Sequence, residues 1–166
     1  VEVDQDKAVA LMNRVREALE TRCEGTSPRA CYLLAGASYL GVATTRNLNE
    51  FGRLTEESCE RGYAEACETL GALAVQGMGV AKDVERAEAL LEEACKNGSE
   101  DACGNLGWLY VSGDGVEKDV PRGLALMEAA CDYGSAGACG NLGWLHASGE
   151  EGVEKSVERG VSLLEK

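Results

Sequence analysis

The sequence predicts an all-α protein built as an α/α solenoid of stacked helix pairs. Two observations carry this reading: cysteines that step through the chain every 36 residues, and two apolar stripes of helical period within each step. A third agrees with them. The chain of 166 residues is 45% apolar but only 5% aromatic, with 21 Gly and 2 Pro, which suits short helices packed by Ala, Leu and Val and closed by glycine.

The elements follow in order. Residues from about Asp4 to Arg22 make a lone helix equivalent to the second helix of a pair, so that 1–30 holds this helix and its connection. Four helix pairs come next, over 31–66, 67–102, 103–138 and 139–166, in one domain spanning 1–166 and nine helices in all. The third pair shows the pattern best. Cys103, Leu106, Gly107, Leu109 and Tyr110 form one stripe, and Val120, Leu124, Met127 and Cys131 form the other. Gly113-Asp114-Gly115 ends the first helix, Asp119 caps the second with Pro121 in its first turn, and Gly134 closes it. Gly77, Gly79, Asp83 and Gly98 repeat this in the second pair. The first pair keeps Asn47 as a cap but lacks the second glycine, and the last carries one extra residue in its loop. A single helix pair cannot bury both faces, so each must stack on its neighbours.

The pattern Ala-Cys-x-x-Leu-Gly-x-Leu-Tyr-x-x-Gly-x-Gly-Val-x-x-Asp, beginning at Ala102, resembles the Sel1-like repeat, a relative of the tetratricopeptide repeat. With its cysteines the chain is similar to the cysteine-rich Sel1-repeat proteins of Helicobacter. The likeness covers essentially the whole chain and weakens in the first copy, which lacks the Leu-Gly pair. It implies a right-handed superhelix of helix pairs, a protein-binding concave groove, and a weak β-lactam-binding or hydrolysing activity attributed to some members.

Two cysteine pairings fit neighbouring helices. One crosses the short connection between repeats (Cys23–Cys31, Cys59–Cys67, Cys95–Cys103, Cys131–Cys139), and the other closes each repeat on itself. Only the first uses all eight cysteines, and it is also the pairing of the cysteine-rich family. Each such bridge closes a short loop, contributing ~2.5 kcal/mol in the chain-entropy picture. Disulfides in this number imply an oxidising compartment, periplasmic or extracellular. The next cysteine of the series would fall two residues beyond Lys166, so the chain reads as a fragment of a longer array.

A net charge of -13 disfavours nucleic acid and anionic membranes; its first reading is solubility, and its second a protein or peptide partner with a basic surface. No run of apolar residues is long enough to insert in a membrane. Catalytic, metal and cofactor signatures are not found. There is a single histidine, His146, standing where the third copy has Tyr110, and no C-x-x-C, S-x-x-K or G-x-S-x-G sequence. No catalytic residue, metal or cofactor is therefore expected. Asn97-Gly98-Ser99 reads as a helix cap although it matches a glycosylation sequon.

By the tetratricopeptide resemblance, the residue after Leu-Gly points into the groove, which places Gly36, Ala72, Trp108 and Trp144 there. Tyr39, Val75 and Val111 follow one turn later, and Tyr32, Glu68, Gly104 and Gly140 come one turn earlier. The expected partner contacts are Trp108, Trp144, Tyr32, Tyr39, Glu68, Val75, Val111 and His146, with Gly104 and Gly140 leaving room beside the indoles. The expected function is a scaffold that holds a protein or peptide. The alternatives are the β-lactam activity and a structural spacer in a larger array.

Overall fold

Every regular element in the computed structural model is an α-helix, and the model describes residues 5–42 and 44–165. Among these residues there are nine helices and no strand: α1 (Gln5–Glu24), α2 (Pro28–Leu40), α3 (Leu48–Glu60), α4 (Ala64–Gln76), α5 (Val84–Lys96), α6 (Glu100–Ser112), α7 (Val120–Asp132), α8 (Ala136–Ser148) and α9 (Val157–Leu164). The chain divides into two compact units, Val1–Lys82 and Asp83–Lys166.

The repeated step sets the helix ends. Ser27, Ser99 and Ser135 cap α2, α6 and α8 by accepting the backbone N–H three residues on, and Tyr63 occupies this place before α4 without a side-chain cap. Asn47, Asp83, Asp119 and Ser156 do the same for α3, α5, α7 and α9. Left-handed glycines end the first helix of every pair: Gly41, Gly77, Gly113 and Gly149. The link between pairs needs a positive φ at its middle residue. Gly62, Gly98 and Gly134 supply it at φ 87°, 93° and 109°. In the first link Thr26 holds the same place at φ 96°, a β-branched residue where the others have glycine. Asn97-Gly98-Ser99 is such a link, with Asn97 ending α5 and Ser99 starting α6.

Four disulfides brace these links: Cys23–Cys31, Cys59–Cys67, Cys95–Cys103 and Cys131–Cys139, with Cα separations of 4.6–4.7 Å. No described cysteine is free.

In the first unit α2 packs on α1 and α3, and α3 on α4. Cys23, Cys31, Leu34, Phe51, Leu54 and Leu73 form its core. In the second unit α6 packs on α5 and α7, and α8 on α7 and α9. Here α6 and α7 cross backbone to backbone: a Cβ on Gly107 would lie 2.6 Å from the Gly123 carbonyl oxygen, and one on Gly123 2.5 Å from that of Gly107. Gly143 and Gly160 repeat the crossing between α8 and α9. In the first unit Ala35 and Phe51 occupy this register, and the Phe51 ring fills what the glycines leave out.

Candidate protein-interaction surface

Trp108 on α6 and Trp144 on α8 stand one repeat apart and touch, with ring centroids 5.9 Å apart and planes tilted by 59°. Trp108 is half-buried against the core around Val111, Leu142 and Leu145, while Trp144 is 45% exposed. The indoles lean on each other. Trp108 thereby serves as a floor that orients Trp144 toward solvent.

Space beside the pair is uneven. Nothing lies within 4 Å of a Cβ built on Gly140, one turn before Trp144. Gly104 corrects the expectation of equal room beside both rings: it is buried, and a Cβ there would meet the Ala138 Cβ at 3.0 Å. Its missing side chain lets α6 approach α8, so it serves packing.

Two expected contacts are core. Val111 is fully buried, and its Cγ2 would lie 2.6 Å from a Cβ on Gly123, so it faces α7. The reason is helical geometry: three residues turn the chain by about 300°, which carries Val111 off the Trp108 stripe toward the second helix. His146 is 7% exposed, with Nδ1 3.4 Å from the Glu154 carbonyl oxygen and a buried Nε2 that has no hydrogen-bond partner. It reaches neither a partner nor a substrate from solvent.

The remaining candidates lie in the first unit. Tyr39 is 37% exposed, shares the Val111 register, packs on Phe51 at 5.0 Å and carries the Arg46 guanidinium 4.4 Å above its ring. Val75, in the same register, is half-buried. Tyr32 is half-buried, stacks on Tyr63 at 5.4 Å and shares a hydrogen bond with the Thr69 hydroxyl at 2.9 Å. Glu68 is half-buried and engaged in local interactions.

The second unit also holds a charged network that the motif reading overlooked. The buried Tyr110 hydroxyl donates to Glu88 at 2.7 Å and lies 3.3 Å from Glu92. Arg122 covers the Tyr110 ring at 4.1 Å and donates to Glu92 at 3.0 Å. Burial, then the hydrogen bond to Glu88, pushes the Tyr110 phenol well above its ordinary range. A hydrogen bond from Lys96 leads the effects that hold the Glu92 carboxyl below its own. The network edges a cleft of about 650 Å³ lined also by Glu85, Glu117, Lys118 and Asp119. Shifted two repeats back, the first unit carries the same positions with charges exchanged: Arg16 pairs with Glu50 at 2.8 Å, and Ser38, in place of Tyr110, donates to Glu50. In the last repeat Arg159 and Glu128 keep the Arg122–Glu92 pairing at 2.5 Å. A sequence signal existed, since Glu56, Glu92 and Glu128 keep the repeat step, as do Arg86, Arg122 and, past the inserted residue, Arg159.

Charge is distributed unequally. Asp83–Lys166 carries 17 Asp and Glu against 7 Lys and Arg, whereas Val1–Lys82 carries 12 against 9. Among the described residues one group of possible metal ligands gathers, Cys23, Cys31 and Glu57, but both sulfurs are tied in a disulfide and no longer offer thiolates.

Against known families, the Sel1 repeat model matches residues 28–50, 64–99, 100–135 and 136–166. The chain belongs to the Sel1 repeat family. A comparison with curated proteins finds no match. Among solved structures, a Sel1 repeat protein from Oxalobacter formigenes is similar at 26% identity and a TM-score of 0.70, over 90% of this chain and 62% of its own. Helicobacter pylori cysteine rich protein B is 27% identical at a TM-score of 0.54, over 76% of this chain and 96% of its own. A protective antigen present in uropathogenic Escherichia coli strains shares the fold at a TM-score of 0.72 and 22% identity, over 89% of this chain and 32% of its own. The chain thus spans less than two thirds of the Oxalobacter protein and about a third of the Escherichia antigen. The fold class is the all-α helix-pair repeat of this family, here braced by four disulfides. Among the described residues no helix is long and apolar enough to cross a membrane.

Proposed function

We propose that this Sel1 repeat chain is a protein-interaction scaffold of an oxidising compartment, periplasmic or extracellular, and that its second unit carries the docking surface. The observation that supports this most is the Trp108–Trp144 pair. An indole 45% exposed beside an open turn offers a large apolar face to a partner, and a supporting ring beneath it restricts its motion before binding. Rings of this kind, held by a neighbour, act as anchors because little conformational entropy is lost when a partner covers them. The surplus of acidic residues in the same unit favours a partner with a basic surface and speeds its encounter.

The test is quantitative affinity capture from an envelope extract. The bait is the wild-type chain or a Trp108→Ala/Trp144→Ala variant whose four disulfides and helicity are first verified. The scaffold reading expects at least one protein retained by the wild type and lost by the variant. Equal recovery of every protein by both would remove the Trp pair from the interaction.

A further inference from the structure

Arginines cover aromatic rings at two different repeat positions of this chain. Among the described residues two cations lie over aromatic rings, Arg46 over Tyr39 at 4.4 Å and Arg122 over Tyr110 at 4.1 Å, and both are arginines. In the second case the guanidinium meets a carboxylate as well, Glu92 at 3.0 Å, so ring and acid share one arginine. Trp144 has the most exposed face of the two indoles, and no described Lys or Arg lies over it. Its other contact is Trp108, and Gly140 leaves the adjoining turn open. Indole is the strongest of the aromatic faces for a cation. The unit that carries it is acidic, with 17 acids against 7 bases, and the exposed Asp101, which accepts a hydrogen bond from Ser135, lies two turns before Trp108 on the same stripe of α6.

From this juxtaposition we infer that Trp144 is a seat for an arginine side chain of a basic partner segment, the guanidinium lying flat on the indole within the acidic field of the second unit. This rests on the scaffold reading and narrows it to one chemistry. Arginine is favoured over lysine because its planar, weakly hydrated cation stacks with little desolvation cost, whereas the ammonium holds its water more firmly. Glu-rich segments are repelled.

The probes are three peptides of one length, acetylated and amidated, with Arg, Lys or Glu alternating with Gly. Each is titrated into the full, disulfide-intact chain while the two indole N–H signals are followed by NMR. The Arg peptide is expected to shift the Trp144 signal more than that of Trp108 and to bind about three- to tenfold more tightly than the Lys peptide. Trp144→Leu keeps an apolar side chain without the ring face and is expected to bring Arg affinity down to the Lys level. Trp144→Phe should retain part of the preference. Equal Arg and Lys affinities in the wild type, or an Arg preference that survives Trp144→Leu, overturns the inference. A captured protein that depends on both tryptophans but shows no arginine preference also overturns it, while leaving the scaffold reading in place. Capture independent of both tryptophans overturns the two together.

Discussion

Arg122 lies over the ring of Tyr110, its guanidinium carbon 4.1 Å from the ring centroid, and the same tyrosine hydroxyl donates to Glu88 at 2.7 Å. Burial, then the hydrogen bond to Glu88, holds the phenol neutral against the opposing pull of the Arg122 charge. Its folded-state pKa is raised, so the stability it contributes is fully present below the unfolded value of about 10 and is lost as pH rises above it. In an alkaline titration followed by tyrosinate absorbance, Tyr110 is expected to ionise last of the five tyrosines, together with unfolding of its unit. Tyr110→Phe should remove that late step and destabilise the chain by about 1–2 kcal/mol at neutral pH, since Glu88 loses its donor.

Glycines separate by what surrounds them. Gly123→Ala drives a methyl into the Gly107 carbonyl and Val111, and is expected to lower the melting temperature sharply. Gly140→Ala meets nothing within 4 Å in a helix interior, and is expected to stabilise by up to about 1 kcal/mol. Thermal melts of the two variants check this pair of opposite signs.

Thr26 offers a repair. Its φ of 96° is the one adopted by Gly62, Gly98 and Gly134 in the other links. Thr26→Gly should therefore stabilise the chain by about 1 kcal/mol, read as a shift of the urea midpoint at constant m-value. An unchanged midpoint would mean that the backbone holds this conformation without strain.

The four disulfides differ in access. Cys23–Cys31 and Cys131–Cys139 are buried, with every half-cystine at 5% exposure or less, whereas the residues of Cys59–Cys67 and Cys95–Cys103 are half-buried. Under limiting phosphine reductant, alkylation and mass mapping should find the two middle bridges opened first. Early loss of Cys23–Cys31 would contradict the burial argument.

Much of the fold was legible because a repeat displays its constraints several times over. Asn47, Asp83 and Asp119 cap helices at the same step, and Gly41, Gly77, Gly113 and Gly149 end them. Of the candidate surface, the repeat step made legible that Trp108 and Trp144 are neighbours, though not that their rings touch. Val111 lies a turn away by a three-residue step, which rotates it onto the α7 side. Gly104 looked like open space and instead brings α6 against Ala138, a contact between helices that a single helix's periodicity does not encode. The Glu88–Tyr110–Arg122 network escaped because its members come from three helices, and its equivalent in the first unit exchanges their charges.

The most direct test of the interaction surface is site-specific photocrosslinking in an envelope extract, with a benzophenone amino acid placed at Gly140, where the turn beside Trp144 is open, or at Tyr133, which is 79% exposed. The scaffold account predicts a discrete crosslinked partner from position 140 that is absent from position 133 and is competed by excess unlabelled wild-type chain. The same crosslinks from both positions, or a competed partner from position 133 alone, would contradict it.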